Sequence, residues 1–182
     1  MTVHSLTKID AATRQLHLAV DLYFQDADPI AVHTLVGAAH ALLRELFDHK
    51  RRRKDGLAQT EHIRPDRLQF VVRMVTEARN FLNHAGGEQS NLLEVNSDWT
   101  DFFLLEAVIM HIELVEETSL FNSFFLLWIS ARYPDAIIPD NFPGEGISRL
   151  RRAFPELAGP SPGKDAFRSA MSVQRSSDDS PV

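Results

Sequence analysis

The chain has 182 residues, 44% of them hydrophobic, and a formal net charge of −6, which allows one good core but is short for two independent domains. Because it contains no cysteine, disulfides, thiolate metal sites and a cysteine nucleophile are excluded, and an intracellular setting is expected. The negative charge argues against broad electrostatic attachment to nucleic acid or to anionic membranes, and it leaves local basic patches as the electrostatic route to either.

Two stretches of the sequence bear on export and on membranes. Residues 1–20 include charged side chains such as Lys8 and Asp10, so they lack the uninterrupted apolar block of a signal peptide. Residues 102–129 form the most apolar region, but Glu106 and several other polar residues interrupt it. A membrane span would need about 20 consecutive apolar residues. We therefore expect a cytoplasmic protein with no membrane-spanning segment.

The first two predicted helices form an antiparallel hairpin. Apolar residues recur every three or four positions over residues 8–26, which predicts the first helix there. Asp28 as N-cap and Pro29 at the first helical position predict the start of the second helix, which runs to about residue 48. A short turn joins the two helices.

Three more main helices follow a loop. Residues 49–60 have no periodicity and predict a solvated loop, whose basic run at residues 51–54 either attracts phosphate or simply keeps the loop solvated. Pro65 begins a third helix that reaches about residue 84. Ser97 can cap a fourth helix that ends near residue 117, and Ser119 a fifth that ends near residue 133.

A short amphipathic helix and a tail are predicted to end the chain. The short helix covers residues 146–154, and from about residue 159 the composition turns to Pro, Ser, Asp and Gly. Such a segment has too little apolar surface to offset the entropy of ordering it. We expect an all-α, antiparallel bundle of about five main helices in residues 1–158 and a disordered tail in residues 159–182.

The third helix carries the candidate site on a polar stripe. At about 100° per residue, Val71, Val75 and Ala78 fall on the side that faces the core. Opposite lie polar residues spaced by three or four, which are Gln69, Arg73, Glu77, Asn80 and His84. Asn80 and His84 are therefore stacked neighbours, with Arg79 on the flank. Arg73 on the same stripe is a candidate ligand-binding residue.

The end of this helix is similar to the signature of the HEPN superfamily (higher eukaryotes and prokaryotes nucleotide-binding). The segment reads Arg79-Asn80-Phe81-Leu82-Asn83-His84. Superfamily members are small helical bundles, and many are metal-independent ribonucleases of toxin and defence systems that dimerise, so that two copies of the motif share a cleft. The resemblance implies that Arg79 binds the scissile phosphate, that His84 acts as acid or base and that Asn80 positions His84. It also implies a homodimer that binds RNA or a nucleotide.

The chemistry that the resemblance implies suits these residue types. RNA supplies its own nucleophile in the 2′-hydroxyl, histidine is a near-neutral base, and arginine is a fixed, bidentate cation for the phosphorane charge. No metal and no cofactor are expected. The chain as a whole also looks like a group of small bacterial proteins of unassigned function, through residues 8–12, 28–35 and 78–81. That wider resemblance names no activity.

The same segment has a structural alternative. It can be the polar end of a helix, where His84 complements the helix dipole. A second arginine and histidine of similar spacing, Arg44 and His49, have Glu45 where the superfamily pattern has asparagine, so the weight of the resemblance falls on Asn80. The competing functional hypothesis is a non-catalytic helical module that binds a protein partner.

A second candidate ligand-binding face lies on the second helix, where His33, His40 and Arg44 share a side with Gly37. This face lines a ligand cleft or a dimer seam, or else its histidines are partly buried with local hydrogen bonds. Histidines spaced by seven lie two turns apart, so no metal site is predicted. The acidic row that begins at Glu106 in the fourth helix is interpreted as a solvated face.

Overall fold

The computed structural model describes residues 5–51, 60–83, 96–142, 146–158 and 162–178. Within these ranges the α-helices are α1 Lys8–Phe24, α2 Pro29–Arg51, α3 Leu68–Asn83, α4 Ser97–Val115, α5 Leu120–Arg132, α6 Gly146–Ala153 and α7 Lys164–Asp178. Short 3-10 turns occupy Pro65–Arg67, Pro139–Asn141 and Pro155–Ala158. No strand occurs in the described ranges, so the predicted all-α class is confirmed, with seven helices there instead of about five.

Two helices that are apolar on almost every side make up the centre of the bundle. All of residues 100–112 in α4 are buried, and so are residues 122–130 in α5. α2 and α3 both pack on α4, while α1 packs mainly on α2 and also contacts α4 and α5. A helix that is surrounded by others needs no polar face, which explains why α4 and α5 are apolar on almost every side.

Local capping residues begin several of these helices. Asp28 Oδ1 accepts hydrogen bonds from the amides of Ile30 and Ala31, at 2.8 and 3.2 Å, so the predicted cap of α2 is confirmed. Ser119 likewise caps α5. The predicted Ser97 cap is wrong, because Asn96 caps α4 through a bond from the Asp98 amide to its Oδ1 at 2.9 Å. Asparagine and serine are equally good caps, so the sequence left the choice between neighbours open.

The disorder predicted from about residue 159 is not what the structure has at residues 164–178, which form α7. Phe167 is buried and stacks on Phe24 of α1 with ring centroids 5.4 Å apart. Arg168 Nε donates to the Phe24 carbonyl at 2.9 Å, and Lys164 Nζ donates to the Tyr23 carbonyl at 3.1 Å. These cations complement the C-terminal end of α1. α7 is therefore stable because its short apolar stripe packs against other helices. Composition alone does not show this packing.

The aromatic side chains of α5 are used for packing within this chain. Phe124, Phe125 and Trp128 are all buried. Trp128 lies edge-on to Phe167 of α7, with ring centroids 5.5 Å apart. Packing within the chain therefore accounts for these three aromatic side chains.

α2 bears on the prediction that the chain has no membrane-spanning segment. Within the described residues, Pro29–Lys50 is the one stretch long and apolar enough to cross a membrane, judged by length and composition only. A buried core helix passes the same test, and α2 packs on both α1 and α4. The expectation of no membrane contact and of a cytoplasmic location stays a prediction.

Candidate functional site

The predicted motif lies at the C-terminal end of α3. The helix is described as far as Asn83, so His84 lies outside the described residues, and the side chain of Arg79 is not described either. Asn80 and Arg73 are exposed. Arg73 Nε lies 3.9 Å from Glu77 Oε1. The described part of the polar stripe therefore contains side chains that a ligand can reach.

Two tertiary hydrogen bonds hold this end of α3 against the core. Trp99 in the first turn of α4 donates from Nε1 to Glu77 Oε2 at 2.9 Å. His33 in α2 donates from Nε2 to the carbonyl of Ala78 at 2.8 Å. Ala78 itself is buried. The backbone immediately before the predicted motif is thus fixed from two neighbouring helices.

His33 is neutral and links three helices through hydrogen bonds of its two ring nitrogens. A carbonyl can only accept, so Nε2 carries the proton, and Nδ1 accepts from the hydroxyl of Thr100 at 3.1 Å. Burial lowers the pKa of His33, although its bond to the Ala78 carbonyl acts in the opposite direction. The side chain lies inside the interface of α2 with α3 and α4, with both ring nitrogens in use.

His40 and Arg44 meet Glu106 between α2 and α4. His40 Nε2 lies 2.9 Å from Glu106 Oε2, and Arg44 Nη1 lies 3.3 Å from Glu106 Oε1. The Glu106 side chain is only 4% exposed, so its interpretation as part of a solvated acidic face is wrong. Two basic groups from α2 stabilise the carboxylate where water is excluded. Arg44 also pairs with Asp48 at 3.1 Å.

The predicted site residues of α2 and those of α3 differ in their exposure to solvent. His33 and His40 lie on the buried side of α2, where both rings contact Phe103 with centroids 5.2 and 4.7 Å away. A Cβ on Gly37 would meet the Phe103 ring at an ordinary 3.8 Å, so this glycine is not needed for close approach. The exposed residues of the candidate site are those of α3.

A buried carboxylate in the first turns of α4 is the polar centre that sequence reasoning missed. Asp101 is 2% exposed and accepts three hydrogen bonds. Tyr23 Oη donates to Oδ1 at 2.5 Å, while Arg132 Nε and Tyr133 Oη both donate to Oδ2 at 2.7 Å. Trp128 Nε1 in turn donates to Tyr23 Oη at 3.0 Å. An aspartate directly before the apolar run of α4 was the signal available in the sequence.

The electrostatics of this network favour charged Arg132 and neutral tyrosines. Burial raises the pKa of Tyr23, and the negative charge of Asp101 adds to the shift. Burial also raises the pKa of Asp101, while its bonds from Tyr23, Tyr133 and Arg132 act in the opposite direction. Three donors satisfy the Asp101 carboxyl group, which thereby joins α1, α4 and α5.

Comparison with known proteins finds no match for this chain. No family model, no curated protein and no solved structure matches the chain. Among the described residues, no group of three or more histidine, aspartate or glutamate side chains is placed to hold a metal ion. The functional interpretation therefore depends on the residues of this chain.

Proposed function

We propose that this chain is a HEPN-like protein that binds RNA or a nucleotide, works as a homodimer, and cleaves RNA without a metal through Arg79, Asn80 and His84. The observation that carries the proposal is the exposed Asn80, which follows two residues of α3 bonded to other helices. His33 bonds to the Ala78 carbonyl, and Trp99 bonds to the Glu77 side chain. A binding segment on a rigid helix needs little ordering when its ligand binds, which favours affinity and catalysis.

The proposed reaction uses the 2′-hydroxyl of the RNA as nucleophile. His84 takes the proton of that hydroxyl, and the 2′-oxygen attacks the adjacent phosphorus. The bond between phosphorus and the 5′-oxygen breaks, and the 5′-oxygen receives a proton, so the products are a 2′,3′-cyclic phosphate and a free 5′-hydroxyl. Arg79 stabilises the phosphorane charge, and Asn80 positions His84.

Arg73 extends the proposed site along the same helix. It lies seven residues, or two turns, before Asn80, and its side chain is exposed. A guanidinium there suits the phosphate of a neighbouring nucleotide, a contact that positions the RNA without reading its sequence. The proposed function is that of an RNA-cleaving member of a toxin or defence system.

The experiment compares RNA cleavage by the wild type and by His84→Ala in the presence of a chelator. We expect the wild type to release products with 2′,3′-cyclic phosphate ends, and His84→Ala to lose activity by about 100-fold or more. His49→Ala is the matched control, because His49 is exposed and follows Arg44 in the similar pair that lacks asparagine. Its activity is expected to equal that of the wild type.

Two results would overturn the proposed nuclease. One is the absence of cleavage by the wild type, and the other is equal cleavage by the wild type and His84→Ala. Either result favours the second candidate, a non-catalytic helical module with a protein partner. The use of Glu77 and Ala78 in tertiary contacts at the motif is the observation that favours this candidate.

A further inference from the structure

A pocket of about 370 Å³ opens between five helices at the end of the bundle where Asp101 lies. The end of α1 and the start of α2 line one side of it through Ala27, Pro29 and Val32, and α5 contributes Trp128. Its volume lies within the range that small-molecule sites occupy, and its lining is mostly apolar, as in such sites. The pocket therefore has the size and the apolar wall of a site for a small organic molecule.

Two cations stand at this pocket. Arg132 comes from the end of α5 and Lys164 from the start of α7, and their side chains are 40% and 26% exposed. Both are tethered, since Arg132 Nη2 lies 3.3 Å from Asp98 and Lys164 Nζ lies 3.1 Å from Asp26. Arg132 Nε also donates to the buried Asp101, and Lys164 Nζ donates to the Tyr23 carbonyl. These bonds hold both side chains in place, so little conformational entropy remains to be lost when a ligand binds.

Asp101 is the one carboxylate among the lining residues of the pocket. Both oxygens of Asp101 already accept hydrogen bonds, from Tyr23, Tyr133 and Arg132. Asp101 thus has little capacity to bind a cationic ligand. Arg132 and Lys164 are the cations of the lining, and Asp98 and Asp26 pair with them from outside it. The Asp98 and Asp26 side chains are 37% and 58% exposed, so these ion pairs are weak and the acidic group of a ligand can compete with them. Partly buried cations beside an apolar wall favour an acidic group attached to an apolar body.

We propose that this pocket binds a small organic anion, a carboxylate or a phosphate monoester, whose acidic group pairs with Arg132 and Lys164 and whose apolar part packs against Val32 and Trp128. This site is separate from the exposed face of α3. The Thr100 side chain, which lines the pocket, bonds to His33, and the other nitrogen of His33 bonds to α3. The test of the pocket uses no RNA, so it succeeds or fails independently of the proposed nuclease.

The experiment is a calorimetric titration of the full chain with four probes. Benzoate and phenyl phosphate carry the two acidic groups on the same ring, benzamide is the neutral match, and inorganic phosphate lacks the apolar part. We expect benzoate or phenyl phosphate to bind at least about tenfold more tightly than benzamide and than inorganic phosphate. Which of the two acids binds more tightly identifies the acidic group that the pocket prefers.

Variants of the chain connect that binding to the pocket. Lys164→Gln is expected to weaken binding of the preferred acid by about fivefold or more. Lys50→Gln is the matched control and is expected to change nothing, because Lys50 pairs with Glu116 at the opposite end of α4 from Asp101. Ala27→Leu fills the apolar side of the pocket without removing a charge, and it is expected to abolish binding.

Three results would overturn the proposed site. The first is equal affinity for benzoate, phenyl phosphate and benzamide. The second is a change of affinity by the same factor in Lys164→Gln and in Lys50→Gln. The third is binding that survives Ala27→Leu. The two pocket variants act through different physical causes, one through charge and one through volume. If Lys164→Gln also releases α7 from the bundle, Ala27→Leu still decides the question.

Discussion

Glu106 is a residue whose surroundings reverse its expected role. In the sequence it belongs to an acidic row, whereas in the structure it lies inside the bundle between His40 and Arg44. The three side chains come from two helices, and Glu106 follows His40 by 66 positions and Arg44 by 62. Only the packing of α2 on α4 brings them together, so neither the burial nor the pairing could be read from local pattern.

The charge of Glu106 is expected to matter to stability far more than that of an exposed glutamate. Glu106→Gln keeps the shape of the side chain but removes the charge that faces Arg44 and one of the two acceptors. We expect a loss of about 3 kcal/mol in the free energy of unfolding, measured by urea denaturation, because breaking a buried ion pair leaves unpaired groups behind.

Glu45→Gln is the matched control for this substitution. Glu45 pairs with Lys8 at 2.7 Å, but the two side chains are 65% and 57% exposed. Exposed pairs contribute about 1 kcal/mol or less, so this variant is expected to stay near the wild type. Equal losses in the two variants would show that Glu106 does not depend on its buried partners.

At the scale of elements, the helices that have a capping residue or a clear apolar period were predicted from the sequence, and α7, which has only a short apolar stripe, was not. The cap at Asp28 and the apolar period of α1 and α3 are local properties, and those helices lie where the sequence placed them. α7 has only a short apolar stripe, and its burial depends on the aromatic surface that α1 and α5 present. Such an element becomes stable through tertiary packing, which outweighs weak propensity.

Gly146 determines how closely α6 approaches α5. A Cβ at this position would lie 2.0 Å from Ser123 Oγ and 3.1 Å from Ser123 Cβ. Ser123 is held by a bond to the Ser119 carbonyl at 3.1 Å. We expect Gly146→Ala to destabilise the protein by about 1–3 kcal/mol, as overpacking does, in urea denaturation followed by circular dichroism.

Gly163→Ala is the control for the same chemical change. Nothing lies within 4 Å of a Cβ built on Gly163, just before α7. The added methyl group there is expected to be neutral or to stabilise slightly, because alanine restricts the unfolded chain. Equal losses of stability in the two glycine variants would show that Gly146 does not determine how closely α6 approaches α5.

At the scale of the whole molecule, four histidines with lowered pKa values link stability to pH. Burial lowers the pKa values of His17, His33, His62 and His111, and for His62 and His111 the value falls to about 4. The neighbouring His17 adds to the shift of His111. At His111, Asn122 Nδ2 donates to Nδ1 at 2.9 Å, so a second proton on the ring would face a donor.

The protein is expected to lose stability as the pH falls from about 6.5 toward 4. In that window the unfolded chain binds protons on these histidines and the folded chain does not, so acid favours the unfolded state. Asp101 acts with the opposite sign, because its raised pKa lets the folded state bind a proton there more readily than the unfolded chain does. Between pH 7.5 and pH 5, His62 and His111 each account for about 2 kcal/mol.

Urea denaturation at several pH values measures this dependence. His111→Gln is expected to flatten the slope of unfolding free energy against pH in the acid range, because one shifted histidine is removed. A slope that is equal in the variant and the wild type, or a wild type that is more stable at pH 5 than at pH 7.5, would contradict the account.

The sequence by itself determined the all-α class, most helix boundaries and the exposure of Asn80 and Arg73, because apolar period and capping residues act within a few positions along the chain. Only the tertiary structure decided that Glu106 and Asp101 are buried centres of hydrogen bonding, that α7 is ordered, and that Arg132 and Lys164 share a pocket. Each of these facts depends on partners far apart in the chain. Burying polar groups costs free energy unless partners from other helices satisfy them, and no local pattern in the sequence records those partners.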